Sequence, residues 1–208
     1  MSVKLHGVPG SPCVLAARLG LTEKGVDFEM VAMAPPEIKS PGNMARNPFG
    51  KVPVFDHDGF VLYETQAILR YADQAFPGPA QEPATAQEAA RMNQIIGIID
   101  CYLFRTWSAD IAFERLMAPN VFGRPGDEAR IEAALPMART CAEALEALAA
   151  GPYLTGTSFT IADAILAPHF NYFRMTGEGE TILADKPKLN RWFAQMRGRE
   201  SVKALLPG

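Results

Sequence analysis

A serine stands at the point where the sequence predicts that a helix begins. Residues 3–6 are apolar and suited to a strand, residues 7–10 carry glycine and proline, and Ser11-Pro12 has the form of an N-cap followed by proline in the first helical turn. Unpaired backbone N–H groups and the positive end of a helix dipole stabilise an anion at such a position. The stretch therefore predicts a hydroxyl beside a site for a phosphate or a thiolate. The alternative is that Ser11 only caps the helix.

Glu64 and Thr65 form a second candidate anion site, because they open another predicted helix. The unpaired N–H groups of that helix and the Thr65 hydroxyl suit a carboxylate, although Thr65 as a simple cap is again the alternative. Nearby, Pro53 begins a strand, and a cis Val52-Pro53 peptide would turn the N–H and C=O of Val52 outward. We expect this free backbone edge to pair with an extended peptide ligand.

A third polar cluster has a structural interpretation. Thr160 and Asp163 have the spacing of a capping box, in which the threonine hydroxyl binds the N3 amide and the carboxylate binds the N–H of the cap residue. The box explains both the type and the position of Asp163. We therefore predict that removing Asp163 reduces stability before it reduces activity.

Composition excludes several classes of partner. The 208 residues include 20 basic and 23 acidic ones, a net charge of −3, without a basic run, which argues against nucleic acid and against an anionic membrane surface. Since no apolar run is long enough to span a membrane and no signal-peptide layout is present, we expect a cytoplasmic protein. Cys13, Cys101 and Cys141 are odd in number and widely spaced, which favours reduced thiols over disulfides or a zinc site. We predict no metal.

The elements that position these residues change in character near Pro77. Before it, the pattern predicts a βαβ unit, a hairpin that turns at residues 56–59, and a helix. The predicted strands cover about 3–6, 28–33, 52–55 and 60–63, and the helices begin at Pro12 and Thr65. This indicates an α/β domain over residues 1–77.

After a linker over 78–86, the pattern predicts an all-α helical domain over 87–208. The predicted helices cover about 86–117, 127–150, 160–175 and 187–197, and a short turn follows from Arg199 to Leu205. Pro136 and Pro168 lie inside two of these helices, and we expect each proline to kink or interrupt its helix.

Five segments together resemble the cytosolic glutathione transferases, most closely the phi class with a serine in the active site. They are L-H-G-V-P-G-S-P-C-V-L, T-E-K-G-V-D-F-E, N-P-F-G-K-V-P, L-Y-E-T-Q-A-I and the T-I-A-D box. The resemblance covers most of the first 77 residues, whereas the second half matches only in helical pattern and in the box. It implies a thioredoxin-like N-terminal domain, an all-helical C-terminal domain that contributes the electrophile pocket, and a homodimer. Glutathione would be a co-substrate, and no cofactor would be tightly bound.

The resemblance also implies roles for individual residues. Ser11 would donate a hydrogen bond to the glutathione sulfur and favour its thiolate. Val52, beside Pro53, would pair with the cysteinyl backbone, and Glu64 and Thr65 would hold the γ-glutamyl amine and carboxylate.

The glycine end of glutathione departs from the phi pattern. Lys39 would meet the glycine carboxylate, with assistance from Lys51. However, Ile38 stands where the phi pattern has histidine, and Lys51 stands where it has glutamine. Phe49 falls where the family often has an aromatic residue that enters the partner subunit; a role in the local core is the alternative.

The electrophile pocket is less defined by the sequence. Candidate residues are Pro12, Cys13, Tyr102, Arg105 and Trp107, although an aromatic stripe is also typical of a core. Helix position would lower the pKa of Cys13 if it were exposed, and the zeta class uses a cysteine at this place for isomerisation, but packing is the alternative.

The predicted function is conjugation of the glutathione thiolate to small apolar electrophiles, as in detoxification. Two alternatives stay open. One is a zeta-like isomerase or thiol transferase that uses Cys13, and the other is a non-catalytic protein that binds glutathione or apolar ligands.

Overall fold

The computed structural model describes residues 2–206. Its N-terminal part contains a four-stranded sheet with the order β2-β1-β3-β4, in which β1 pairs parallel to β2 and antiparallel to β3. Asp58 and Gly59 turn the β3–β4 hairpin with φ values of 50° and 90°, as a two-residue hairpin turn requires. The predicted βαβ unit and hairpin are thereby confirmed. The elements are β1 Val3–Gly7, α1 Pro12–Lys24, β2 Glu29–Ala32, a 3-10 helix Pro35–Lys39, α2 Pro41–Arg46, β3 Val54–His57, β4 Phe60–Tyr63 and α3 Thr65–Ala75.

The second part is built from helices, with an isolated β-bridge between Tyr153 and Gly156. Its elements are α4 Ala86–Ile98, a π-helical segment Ile99–Met117, α5 Ala118–Asn120, α6 Glu128–Leu148, α7 Ile161–Arg174, α8 Gly177–Leu183, α9 Pro187–Arg197 and α10 Glu200–Leu205. The prediction of a turn after Arg199 is wrong, because α10 forms there. The two prolines lie inside α6 and α7, and neither interrupts its helix.

Helix α1 fixes the position of Ser11 because it is buried on two faces. Val14 and Leu21 pack with the sheet in one hydrophobic cluster. Leu15 and Leu19 instead belong to the large cluster of the helical domain, so α1 is shared by both cores.

Polar contacts attach the segment between the two domains to α1. Lys24 is 4% exposed, and its Nζ donates to Asp73 at 2.8 Å and to the Pro79 carbonyl at 3.1 Å. The Gln81 side chain donates to the Gly20 carbonyl at 2.6 Å, and the Gln81 N–H donates to Asp73 at 2.9 Å. The segment therefore holds a fixed course against α1 and α3.

Asp163 stabilises the start of α7. Its carboxylate accepts from the N–H and hydroxyl of Thr160 at 2.8 and 2.7 Å, which confirms the carboxylate half of the capping box. The Thr160 hydroxyl itself caps no amide of α7. It also accepts from the Leu154 N–H at 2.9 Å and the Trp192 indole at 2.7 Å. Burial raises the pKa of Asp163, and the four donors oppose that shift. This side chain joins α7, α9 and the preceding loop.

Among residues 2–206, no helix combines the length and the apolar character needed to cross a membrane.

Candidate active site

The Ser11 side chain is free of the helix that it precedes. Ser11 has extended backbone angles; its N–H donates to the Val8 carbonyl at 2.9 Å, and its C=O accepts from the Leu15 N–H at 2.8 Å. Its hydroxyl caps no amide of α1. A role restricted to capping is therefore wrong. Two cavities meet at this serine, and both are lined by Ser11, Ile38 and Val52.

The polar cavity, of about 480 Å³, lies between the N-terminal domain, the π-helical segment and α7. It is lined by Ser11, Cys13, Ile38, Asn47, Gly50, Lys51, Val52, Pro53, Glu64, Thr65, Gln66, Asp100, Phe104, Ile165 and His169. The structure thus brings together six of the seven residues that the sequence predicts for this site. The seventh, Lys39, is exposed at the rim, where its Nζ donates to the Phe49 carbonyl at 3.2 Å.

The wall of the polar cavity at Val52 exposes an unused stretch of backbone. The Val52-Pro53 peptide is cis, and within residues 2–206 neither the N–H nor the C=O of Val52 has a hydrogen-bond partner. The preceding loop is held in place because the buried side chains of Asn43 and Asn47 both donate to the Lys51 carbonyl, at 3.3 and 3.1 Å. Val52 can therefore pair with an extended peptide.

A second helix N-terminus faces the same cavity. Glu64 has φ 73° and precedes α3, a left-handed conformation that costs a non-glycine residue about 1–3 kcal/mol and is common at functional sites. Thr65 is the first residue of α3, and its hydroxyl donates to the Cys13 carbonyl at 3.5 Å. Thr65 as a cap is thus wrong, since Glu64 takes that position. The dipoles of α1 and α3 both favour an anion here.

Two carboxylates lie at the α3 end of the cavity. The Gln66 amide donates to Asp100 at 2.8 Å, and Asp100 belongs to the π-helical segment. Burial, together with the charge of Glu64, raises the pKa of Asp100. Such a pair attracts a cationic group, so this end of the cavity suits an ammonium beside a carboxylate.

Cys13 lines the cavity as a neutral thiol. Burial, with the nearby charges of Asp100 and Glu64, raises the pKa of Cys13 to about 12. The expected lowering by the dipole of α1 is outweighed, because the thiol is not exposed enough to gain from it. A thiol of this pKa is a poor nucleophile at neutral pH.

The apolar cavity, of about 250 Å³, lies on the other side of Ser11. Its lining residues are Val8, Gly10, Ser11, Pro12, Pro35, Ile38, Val52, Ser108, Ala112, Phe113, Leu116, Met117, Phe122 and Tyr172. Most are hydrocarbon side chains, so the cavity suits an apolar molecule of modest size next to the Ser11 hydroxyl.

Two family models match this chain. The one described as the N-terminal domain of glutathione S-transferases matches residues 5–80, and the one described as their C-terminal domain matches residues 128–195. The chain belongs to the glutathione S-transferase family.

Individual members of this family match over nearly the whole length. Glutathione S-transferase 3 of Zea mays is 30% identical over 206 residues, which cover 97% of this chain and 91% of that protein. The crystal structure of glutathione transferase F7 from Populus trichocarpa is 27% identical with a TM-score of 0.86, covering 98% of this chain and 97% of that one. A structure of glutathione S-transferase-I bound with lactoylglutathione is 26% identical with a TM-score of 0.84, covering 99% and 98%.

These matches confirm the predicted fold, the similarity to plant phi-class enzymes and the predicted class of activity, a glutathione transferase with glutathione as co-substrate. The names of these relatives give no support to the isomerase alternative. The predicted domain limits stay a prediction; α3 ends at Ala75 and α4 begins at Ala86.

The prediction for the electrophile pocket of this transferase needs correction. Pro12 lines the apolar cavity, and Cys13 lines only the polar one. Tyr102 is 52% exposed, Arg105 pairs with Asp110 at the surface, and Trp107 is fully buried; none of these three lines either cavity. The Trp107 indole donates to the Ala138 carbonyl at 3.0 Å, so it belongs to the core.

The face of the π-helical segment that lines the site contains none of the predicted pocket residues. Its members are Phe104, Ser108, Ala112, Phe113, Leu116 and Met117. Ser108 Oγ lies 2.6 Å from His169 Nδ1, and the Tyr172 hydroxyl donates to the Gly10 carbonyl at 2.9 Å. The available signal is the spacing of Ser108 and Ala112, two small residues four positions apart and therefore neighbours on one helix face.

Proposed function

We propose that this protein joins the thiolate of glutathione to small apolar electrophiles at Ser11. The observation that carries the proposal is the position of the Ser11 hydroxyl, which caps nothing and stands where the polar and apolar cavities meet. A sulfur bound beside this hydroxyl faces both cavities at once. The family to which the chain belongs supports the same reaction.

Glutathione binds in the polar cavity. Its cysteinyl N–H and C=O pair with the unused backbone groups of Val52, and its γ-glutamyl carboxylate takes the N-terminus of α3 at Thr65. The γ-glutamyl ammonium meets Glu64 and Asp100 at the same end.

The glycine carboxylate of glutathione binds two lysines at the other end of the polar cavity. Lys51 lines the cavity, and Lys39 lies at its rim beside Gly50. Ile38 in place of a histidine leaves this end to the lysines alone, and an ammonium supplies charge without fixed direction.

The reaction begins when the thiol loses its proton to water. A free thiol has a pKa near 8.5, and a lowering of about two units, roughly 2.7 kcal/mol, makes it mostly anionic at neutral pH. A hydrogen bond from Ser11 and the N-terminus of α1 are adequate for that stabilisation. The thiolate then attacks an electrophilic carbon in the apolar cavity, and the protein contributes proximity.

We also propose that the chain forms a homodimer in the cytoplasm. Phe49 is 60% exposed, and its ring lies edge-on to that of Tyr63 with the ring centroids 6.0 Å apart. Because it is so exposed, Phe49 does not fill a local core and is available to a partner subunit. All three cysteines are free thiols, as in a reducing compartment. Phe49→Ser should shift the mass in sedimentation toward that of one chain; an unchanged dimer would contradict the role of Phe49.

The decisive experiment compares wild type with Ser11→Ala in a spectrophotometric assay with a chloronitrobenzene acceptor. We expect wild type to be active and the variant to be nearly inactive, while both bind glutathione in calorimetry. If both bind glutathione and neither turns over, the protein is a binding protein of the same fold. If neither binds glutathione, the proposed function is wrong.

A further inference from the structure

A buried serine–histidine pair lies between the two cavities. Ser108 Oγ is 2.6 Å from His169 Nδ1, and the two residues are 8% and 2% exposed. Ser108 lines the apolar cavity, whereas His169 lines the polar one. A buried polar pair in an apolar wall has a desolvation cost, so its presence beside a reactive centre calls for a use.

Ser108 is distinguished from the other polar groups of the apolar cavity. The side chains with hydroxyls there are those of Ser11, Ser108 and Tyr172. Ser11 is assigned to the sulfur, and the Tyr172 hydroxyl already donates a hydrogen bond to the Gly10 carbonyl at 2.9 Å. Ser108 is therefore the hydroxyl left to meet an oxygen of the electrophile.

The imidazole sets which way the serine proton points. Burial lowers the pKa of His169 to about 4, so the ring is neutral at neutral pH. The direction of the bond depends on the tautomer of the ring. The inferred arrangement has the ring proton on Nδ1, which then donates to Ser108 Oγ and leaves the serine proton for the cavity. Within residues 2–206, no carboxylate binds His169 Nε2, so the pair lacks the third member of a hydrolase triad.

We propose that the Ser108 hydroxyl, held by His169, donates a hydrogen bond to the carbonyl oxygen of the electrophile, and that the preferred substrates are α,β-unsaturated ketones and aldehydes. This inference rests on the proposed function. Ser108 is then a catalytic residue, and His169 is a positioning residue. A preformed donor aimed at an oxygen that gains charge acts mainly on the transition state.

The bonding changes balance without a further reactant. The glutathione thiolate forms a C–S bond with the β-carbon, the C=C electron pair moves to form a Cα=C bond, and the carbonyl pair moves to oxygen. Ser108 stabilises the resulting enolate. The α-carbon then takes a proton from water, which replaces the proton that the thiol released, and the ketone is restored.

The test compares two electrophiles of similar size. Benzylideneacetone has the acceptor oxygen, and benzyl chloride has none. We expect Ser108→Ala to lower kcat/KM for benzylideneacetone by about 100-fold, with a much smaller change for benzyl chloride. His169→Gln should also lower the ratio of kcat/KM for benzylideneacetone to kcat/KM for benzyl chloride. Ser108→Thr, which keeps a hydroxyl, should keep this ratio close to that of wild type.

Equal losses for both electrophiles, or no loss for either, would overturn the role of Ser108. If wild type conjugates benzyl chloride but kcat/KM for benzylideneacetone does not depend on Ser108, the proposed function stands and this inference fails. Wild type that conjugates neither electrophile overturns both.

A measurement on the unaltered chain keeps the inference testable if the Ser108 variants do not fold. The saturated ketone benzylacetone is bound in the presence of S-methylglutathione, and its carbonyl stretch is recorded by infrared difference spectroscopy. We expect a shift to lower frequency in wild type and in Ser11→Ala, because Ser108 is the donor in both. An unshifted band in wild type would contradict the proposal.

Discussion

The hydroxyl of Tyr172 donates a hydrogen bond to the carbonyl of Gly10 at 2.9 Å, joining α7 of the helical domain to the loop that carries Ser11. Burial raises the pKa of Tyr172, so the phenol stays a donor at neutral pH. This contact fixes the loop from the side of the electrophile cavity. It makes the helical domain part of the machinery that orients the serine.

Tyr172→Phe removes this hydrogen bond and keeps the ring. A net hydrogen bond is worth about 1 kcal/mol, so we expect kcat/KM to fall by roughly fivefold, with little change in glutathione affinity. The matched control is Tyr102→Phe, because Tyr102 is exposed and lines neither cavity. Equal rates in the two variants would show that the loop does not depend on α7.

The pH dependence of thiolate formation tests the role of Ser11 directly. The thiolate is the reactive form, so activity is present above the pKa of bound glutathione and is lost as the pH falls through it. We expect that pKa near 6.5, about two units below that of a free thiol, and near the free value in Ser11→Ala. Ultraviolet difference titration of the thiolate measures it. Superimposable titrations would remove Ser11 from the mechanism.

Cys13 should behave as a packing residue. Burial raises the pKa of Cys13 to about 12, whereas Cys101 is exposed. Iodoacetamide at neutral pH should therefore label Cys101 and spare Cys13, as peptide mass spectrometry can show. Cys13→Ala should keep conjugating activity. Rapid labelling of Cys13 together with loss of activity in the alanine variant would instead favour an isomerase or a thiol transferase.

Local patterns in the sequence predicted the fold and the glutathione side of the site because those features are local. The serine–proline helix start, the Asp58-Gly59 turn and the Thr160–Asp163 box each lie within a few residues of one another. The residues of the polar cavity were found through the family motifs that surround them. Such signals need no knowledge of distant contacts.

The electrophile side was missed because it depends on which face of one helix turns inward. Chemical type favours Tyr102, Arg105 and Trp107, yet the lining face passes through Phe104, Ser108 and Ala112. The segment is π-helical, so the angle between successive residues around the helix axis differs from that of an α-helix. A prediction from α-helical periodicity therefore places these residues on the wrong face. His169 and Ser108 are in contact but lie 61 positions apart in the sequence, so no local pattern connects the two.

The buried ion pair between α1 and α3 makes a prediction for stability. Lys24 and Asp73 lie 2.8 Å apart, and their side chains are 5% and 9% exposed. Lys24→Met leaves the Asp73 carboxylate buried with its cation removed, which should lower the free energy of unfolding by about 3–5 kcal/mol. Lys203→Met is the control, because its pair with Glu200 is exposed and should be worth well under 1 kcal/mol. Urea denaturation measures both, and similar losses would contradict the structural role of Lys24.

His169 makes a prediction for the acid side of the stability profile. Burial lowers its pKa from 6.5 to about 4 in the folded chain. Between these values the unfolded chain binds a proton that the folded chain does not, so stability rises with pH across this window and is lost as the pH falls. The shift corresponds to about 3 kcal/mol at most. Urea unfolding of wild type and His169→Gln is measured at several pH values. Between pH 6.5 and 4, the free energy of unfolding should change less with pH in the variant than in wild type, whatever the absolute stability of the variant. Identical slopes would mean that the pKa of His169 is the same in the folded and the unfolded chain, which would contradict its burial as a neutral ring.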